Sequence, residues 1–123
     1  MTTDRNDPLT PTLSHERLDV YQAALEFLDA SAAHADGLPA KYAHSGDQLR
    51  RAALSVVLNI AEAMGKTGGA DRKRFFAIAR GSAAECGAVL DALRVLKLID
   101  EDRFLAGKTL LVRIVSMLTR MCR

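Results

Sequence analysis

At 123 residues the chain has the length of one ordinary domain, and 49% hydrophobic with 26% charged side chains is a globular composition. Aromatic residues make up only 5% and tryptophan is absent, so the core has to be aliphatic and alanine-rich, which favours closely packed helices. A net charge of +2 is far from that of a dedicated nucleic-acid-binding tail and by itself settles no partner, two cysteines are too few for a disulfide framework, and no apolar run reaches the roughly 18 residues that a membrane span needs.

Residues 1–13 mix Thr, Asp and Asn with two prolines and read as a flexible N-terminal arm; residues 14–123 read as a single domain. From Ser14, a candidate N-cap, Leu18, Tyr21, Leu25, Leu28, Ala32 and Ala35 alternate spacings of three and four, the signature of a first helix that Gly37 and Pro39 stop. A second helix is predicted from near Ser45, which has capping-box spacing to Gln48, as far as Gly65. Gly65, Gly68 and Gly69 make the next turn. Asp71 is placed to cap a third helix with Phe75, Ala79, Ser82, Cys86, Val89, Leu93 and Leu96 along its seam, ending near Leu98. Asp100 caps a fourth, with Phe104, Leu111, Ile114, Val115 and Leu118 inward. Four helices of about 20 residues joined by short turns predict an all-α, up-down-up-down antiparallel four-helix bundle.

The second helix carries the strongest signal. At about 100° per residue, Gln48, Arg51, Ser55, Asn59 and Glu62 fall within an arc of roughly 80°. Apart from Arg50, the positions between them are Ala, Leu, Val and Ile, so little polar surface is left and the helix is expected to be covered on several sides, by its own bundle and by another subunit. Ser82 and Glu85 on the third helix extend the ladder into an expected polar network that fixes helix register, with Arg51 paired to Glu85 or to Glu62 of another chain. Gly81 and Gly87 inside the third helix, each costing about 1 kcal/mol relative to alanine, point to a tight helix crossing.

Charge divides along the chain. Residues 1–36 hold two arginines against seven carboxylates, net −5, and the remainder is +7. Arg50, Lys66, Arg72, Lys73, Arg74, Arg113 and Arg120 form the candidate phosphate-binding set, strengthened if symmetry repeats them around an oligomer. No aromatic side chain is interleaved with these cations, which argues against single-strand base stacking. His15, His34 and His44 stand near helix ends without Glu-x-x-His or His-Glu-x-x-His spacing, so no metal or cofactor site is expected. Cys86 lies on an apolar seam with no histidine on its helix and reads as a core thiol, not a nucleophile. Gly65-Lys66-Thr67-Gly68-Gly69 contains the GKT fragment of a phosphate loop, but no strand precedes it and Ile60 stands where the upstream glycine belongs. No catalytic motif emerges, so a non-enzymatic role is expected. The first residues lack the basic-then-apolar order of an export signal, which favours a cytoplasmic protein without membrane contact.

The runs Gln48-Leu49-Arg50-Arg51-Ala52-Ala53-Leu54-Ser55, Asn59-Ile60-Ala61-Glu62 and Ala79-Arg80-Gly81-Ser82-Ala83-Ala84-Glu85 resemble the four-helix-bundle family of intervening-sequence proteins, named for reading frames inserted in bacterial large-subunit ribosomal RNA genes. The resemblance runs from about residue 16 to the end. Where that family carries a glycine after Asn-Ile-Ala-Glu, this chain has Ala63. It implies a ring-like homopentamer, and the related accessory variability determinants of diversity-generating retroelements imply association with RNA or DNA and a reverse transcriptase. The leading expectation is therefore a homo-oligomeric bundle that binds nucleic acid or a nucleic-acid-handling enzyme through a basic surface. The rival is a structural or adaptor assembly with a protein partner. An enzyme using Glu62 or Glu85 would require a pocket beside those carboxylates.

Overall fold

The computed structural model describes residues 9–123, so residues 1–8 of the arm lie outside the described residues. Within them are four α-helices and no strand: α1 (Asp19–Asp36), α2 (Ala43–Met64), α3 (Gly69–Val95) and α4 (Glu101–Met121). Short 3-10 turns at Ser14–Arg17 and Ala40–Tyr42 precede α1 and α2. Each helix packs on two neighbours, α1 on α2 and α4, α3 on α2 and α4, and the backbones of the diagonal pairs do not come within 8 Å. This is the up-down-up-down bundle that the element lengths predict.

The core is aliphatic with three phenylalanines, Phe27, Phe76 and Phe104, and its inner lines run through small residues. On α1 the buried positions are Val20, Ala23, Ala24, Phe27, Ser31 and Ala35. Of the stripe expected there, Ala35 is buried, while Leu18, Tyr21, Leu25, Leu28 and Ala32 lie half-buried on the flank. On α3 the expected Ala79, Cys86 and Leu93 are buried, Phe75, Ser82 and Val89 are half-buried and Leu96 is exposed, and Phe76, Ala83 and Leu90 complete the buried face. The reason is steric. Small side chains such as Ala23, Ala24 and Ala83 let the backbones approach, so the axis holds them beside a few large residues, Phe27, Phe76 and Leu90, and the remaining large side chains are left on the flanks.

The tight crossings are not where Gly81 and Gly87 suggested. A Cβ at Gly81 would meet nothing within 4 Å, and one at Gly87 would meet Leu111 and Lys108 only at 3.9 Å. Close approach occurs instead at Gly46, where a Cβ would stand 3.1 Å from that of Ala35, and at Gly107, where it would stand 2.9 Å from Leu90 Cδ1. These positions seat α1 against α2 and α3 against α4.

Helix ends also differ in part from expectation. Ser14 opens the 3-10 turn and not α1, whose N-cap is Leu18. Tyr42 is the N-cap of α2, so Ser45 falls inside the first turn and forms no capping box; Gly68 precedes α3, so Asp71 sits in the first turn, where its carboxylate faces the positive helix end. Asp100 does cap α4, accepting from the Arg103 amide at 2.8 Å. α3 ends in a Schellman motif: the Leu98 amide donates to Leu93 at 2.8 Å and the Lys97 amide to Arg94 at 3.0 Å, with Lys97 at φ 60°. A side chain there is strained, and glycine is the usual occupant.

His34, near the end of α1, has a buried Nε2 without a hydrogen-bond partner. Burial pushes its imidazole below the ordinary value of 6.5, the Arg103 guanidinium adds to the shift, and Asp100 opposes it. A base whose folded pKa is depressed leaves stability intact above the unfolded pKa and removes it as pH falls through that value.

Two measurements check this description. Replacing Lys97 with glycine should raise unfolding stability by about 0.5–1 kcal/mol in urea titration, and a loss of stability would contradict the left-handed assignment. The wild-type chain should lose stability as pH falls below 6.5, and His34→Gln should flatten that part of the profile; identical profiles for the two proteins would remove His34 as the cause.

Candidate nucleic-acid interface and polar ladder

Antiparallel topology gathers the start of α1, the α2–α3 turn and the end of α4 at one end of the bundle. Arg17, Lys66, Arg72, Lys73, Arg74, Arg120 and Arg123 stand there against Glu16, Asp19, Glu62 and Asp71. At the opposite end Lys41, Arg50, Arg94, Lys97 and Arg103 are matched one for one by Asp36, Asp47, Asp100, Glu101 and Asp102. The middle band balances likewise, Arg51, Arg80, Lys108 and Arg113 against Glu26, Asp29, Glu85 and Asp91. The side-chain charge surplus of the described residues therefore sits at one end.

This placement divides the candidate phosphate-binding set. Lys66, Arg72, Lys73, Arg74 and Arg120 share the basic end, all but the half-buried Lys66 exposed. Arg113 is exposed about two turns further along α4. Arg50 is at the other end, joined to Asp36 across the α1–α2 crossing and to Asp47 at 3.1 Å, which makes it a structural tie. The turn itself is stapled. Arg72 Nη2 donates to the Lys66 carbonyl at 3.0 Å, Lys66 pairs with Glu62 at 3.2 Å, and Lys66 and Arg74 both stand over the Phe75 ring.

The polar ladder separates into an inner and an outer part. Ser55 and Ser82 join α2 to α3 through a hydroxyl–hydroxyl bond of 2.8 Å, and Asn59 Nδ2 donates to the Ser55 carbonyl at 2.8 Å and to its hydroxyl at 3.0 Å. Gln48, Arg51, Glu62 and Glu85 are exposed and stand outside this network. Among the described residues Arg51 and Glu85 form no ion pair, with each other or with anything else. They flank an open groove of about 790 Å3 between α2 and α3, lined also by His44, Gln48, Ser55 and Ser82. Beside it, Leu54, Leu58 and Ile78 expose 44%, 56% and 41% of their surface, so α2 is not fully covered by its own bundle.

Cys86 is buried on α3, where loss of solvation first, and Glu85 second, push its thiol up to about 12, against a weaker opposing backbone hydrogen bond. A thiol so shifted is a poor nucleophile near neutral pH. The described residues contain no group of three or more His, Cys, Asp or Glu side chains able to hold a metal ion, and no helix among them is long and apolar enough to cross a membrane. What sequence reasoning missed is the one-ended charge surplus, which only the antiparallel order of helices reveals, and the seating of two cations on Phe75, which the adjacency of Arg74 and Phe75 could have signalled.

No curated protein matches the chain. Among solved structures, a protein of unknown function from the S23 ribosomal protein family of Bacteroides thetaiotaomicron superposes with a TM-score of 0.80 at 23% identity, over 85% of this chain and 98% of that one. At that identity the likeness establishes the shared fold. The family model for 23S rRNA-intervening sequence proteins matches residues 16–120, nearly the whole of the four-helix domain and all three of the motif runs that carry the sequence resemblance, and the chain belongs to that family.

Proposed function

We propose that the protein is a non-enzymatic, self-associating cytoplasmic bundle whose basic end binds nucleic acid through its phosphates. The observation that carries the reading is the confinement of surplus positive charge to the end formed by the α2–α3 turn and the end of α4. A patch of this kind neutralises phosphates and releases counterions without reading sequence. Self-association is supported by Leu54, Leu58 and Ile78, an exposed apolar strip next to the unpaired Arg51 and Glu85. A closed ring, pentameric as the family resemblance implies, would repeat the basic end once per subunit and multiply its field.

Converting Arg72, Lys73 and Arg74 together to glutamate should abolish retention of labelled RNA while leaving the fold and assembly intact. Wild-type affinity should fall by about two orders of magnitude between about 50 and 200 mM salt, as expected for roughly four phosphate contacts. Affinity that is flat in salt, or unchanged by the triple reversal, would favour a protein partner instead. Separately, replacing Leu54 and Leu58 with glutamate should convert an oligomer into a folded monomer in sedimentation velocity, and a wild-type chain that already sediments as a monomer at micromolar concentration would remove the assembly from the account.

A further inference from the structure

Every aromatic ring at the basic end is already engaged. Phe75 has Lys66 Nζ 5.0 Å and Arg74 Cζ 4.5 Å from its ring centroid, and Phe76 is buried in the core. Tyr21 meets the ring of His15 edge-on at 4.7 Å. A single strand is gripped by stacking its bases on free aromatic faces, and next to the turn cations Phe75 is covered by two of them and Phe76 is buried. A duplex keeps its bases inside and presents phosphates in fixed rows, which a fixed set of cations matches.

Resting on the basic-end reading above, we infer that the α2–α3 turn takes the phosphate backbone of a double-stranded nucleic acid, with Phe75 as the positioning residue that holds Lys66 and Arg74 ready for it. Lys and Arg side chains carry large rotamer entropy, much of which is lost when they fix on a phosphate. Seating them on a half-buried ring removes part of that loss beforehand. The arrangement at Phe104, at the opposite end, shows what differs. Arg94 and Lys108 stand over that ring too, but each is held by a short carboxylate contact, 2.7 Å to Glu101 and 2.9 Å to Asp91. At Phe75 Lys66 keeps an ion pair with Glu62 at 3.2 Å, but Arg74 reaches Asp71 only at 3.9 Å, and the adjoining Arg72 and Lys73 form no ion pair among the described residues. Arg120 on neighbouring α4 adds an exposed cation at the same end of the bundle.

The test is fluorescence anisotropy with a labelled duplex RNA of about 20 base pairs, the matching duplex DNA, and one RNA strand alone, at about 100 mM salt. Either duplex should bind at least about tenfold more tightly than the single strand, and the two duplex arms identify which helix form the end accepts. Phe75→Leu should weaken duplex binding several-fold with all charges retained, and Phe75→Tyr, which keeps the ring, should restore it; thermal midpoints of both variants separate lost positioning from lost folding. A single strand bound as tightly as the duplexes, or Phe75→Leu binding like wild type, overturns this inference and leaves the basic-end reading standing. Failure of all three probes to bind overturns both.

Discussion

The structure depends on the packing of α2 between α1 and α3. Leu49, Ala53, Val56 and Ile60 form a continuous row along α2 with at most 1% of each exposed, and Gly46 brings the start of that helix against Ala35. Full burial of a Val, Leu or Ile side chain contributes about 1.5–3 kcal/mol, so this row alone outweighs every surface ion pair on the molecule. Because α2 is clamped on both sides, its direction fixes where the α2–α3 turn points and hence where the surplus charge is displayed. The Ser55–Ser82 bond, with Asn59 behind it, joins the side chains of α2 and α3 and sets the register of one against the other.

Much of this was legible in the residues. The number, type and order of the helices follow from apolar spacing and from the glycine and proline stops, and Asp100 identifies itself as a cap by position. The faces were harder to centre. On α1 and α3 the apolar arc is wider than one seam, and large side chains such as Leu25 and Val89 draw the eye to the flank while Ala23, Ala24 and Ala83 occupy the axis. Lys97 was invisible as a cap because its left-handed conformation is imposed by the Leu98–Leu93 hydrogen bond and not by its own preference.

The site was legible as a set of residue types but not as an arrangement. The seven cations singled out in the sequence do not form one patch, because a linear reading cannot tell which helix ends meet. Antiparallel closure sends Arg50 to the far end, where Asp36 and Asp47 hold it, and brings Arg120 beside the α2–α3 turn. The ladder on α2 was read as one network, but only its hydroxyl and amide groups, Ser55 and Asn59 with Ser82, form one, and the longer Gln48, Arg51, Glu62 and Glu85 are left outside it. Charged groups that the fold leaves unpaired beside exposed leucines are what an interface with another copy would use, whereas groups inside the seam serve the protomer itself.

We propose that one end of the bundle meets the nucleic acid. Amide hydrogen exchange of the protein with and without a saturating duplex tests it most directly. The account predicts new protection concentrated over residues 62–76 and the last turns of α4, with residues 36–50 unchanged. Protection confined to residues 43–51 and the facing part of α3, around the Arg51–Glu85 groove, would contradict it.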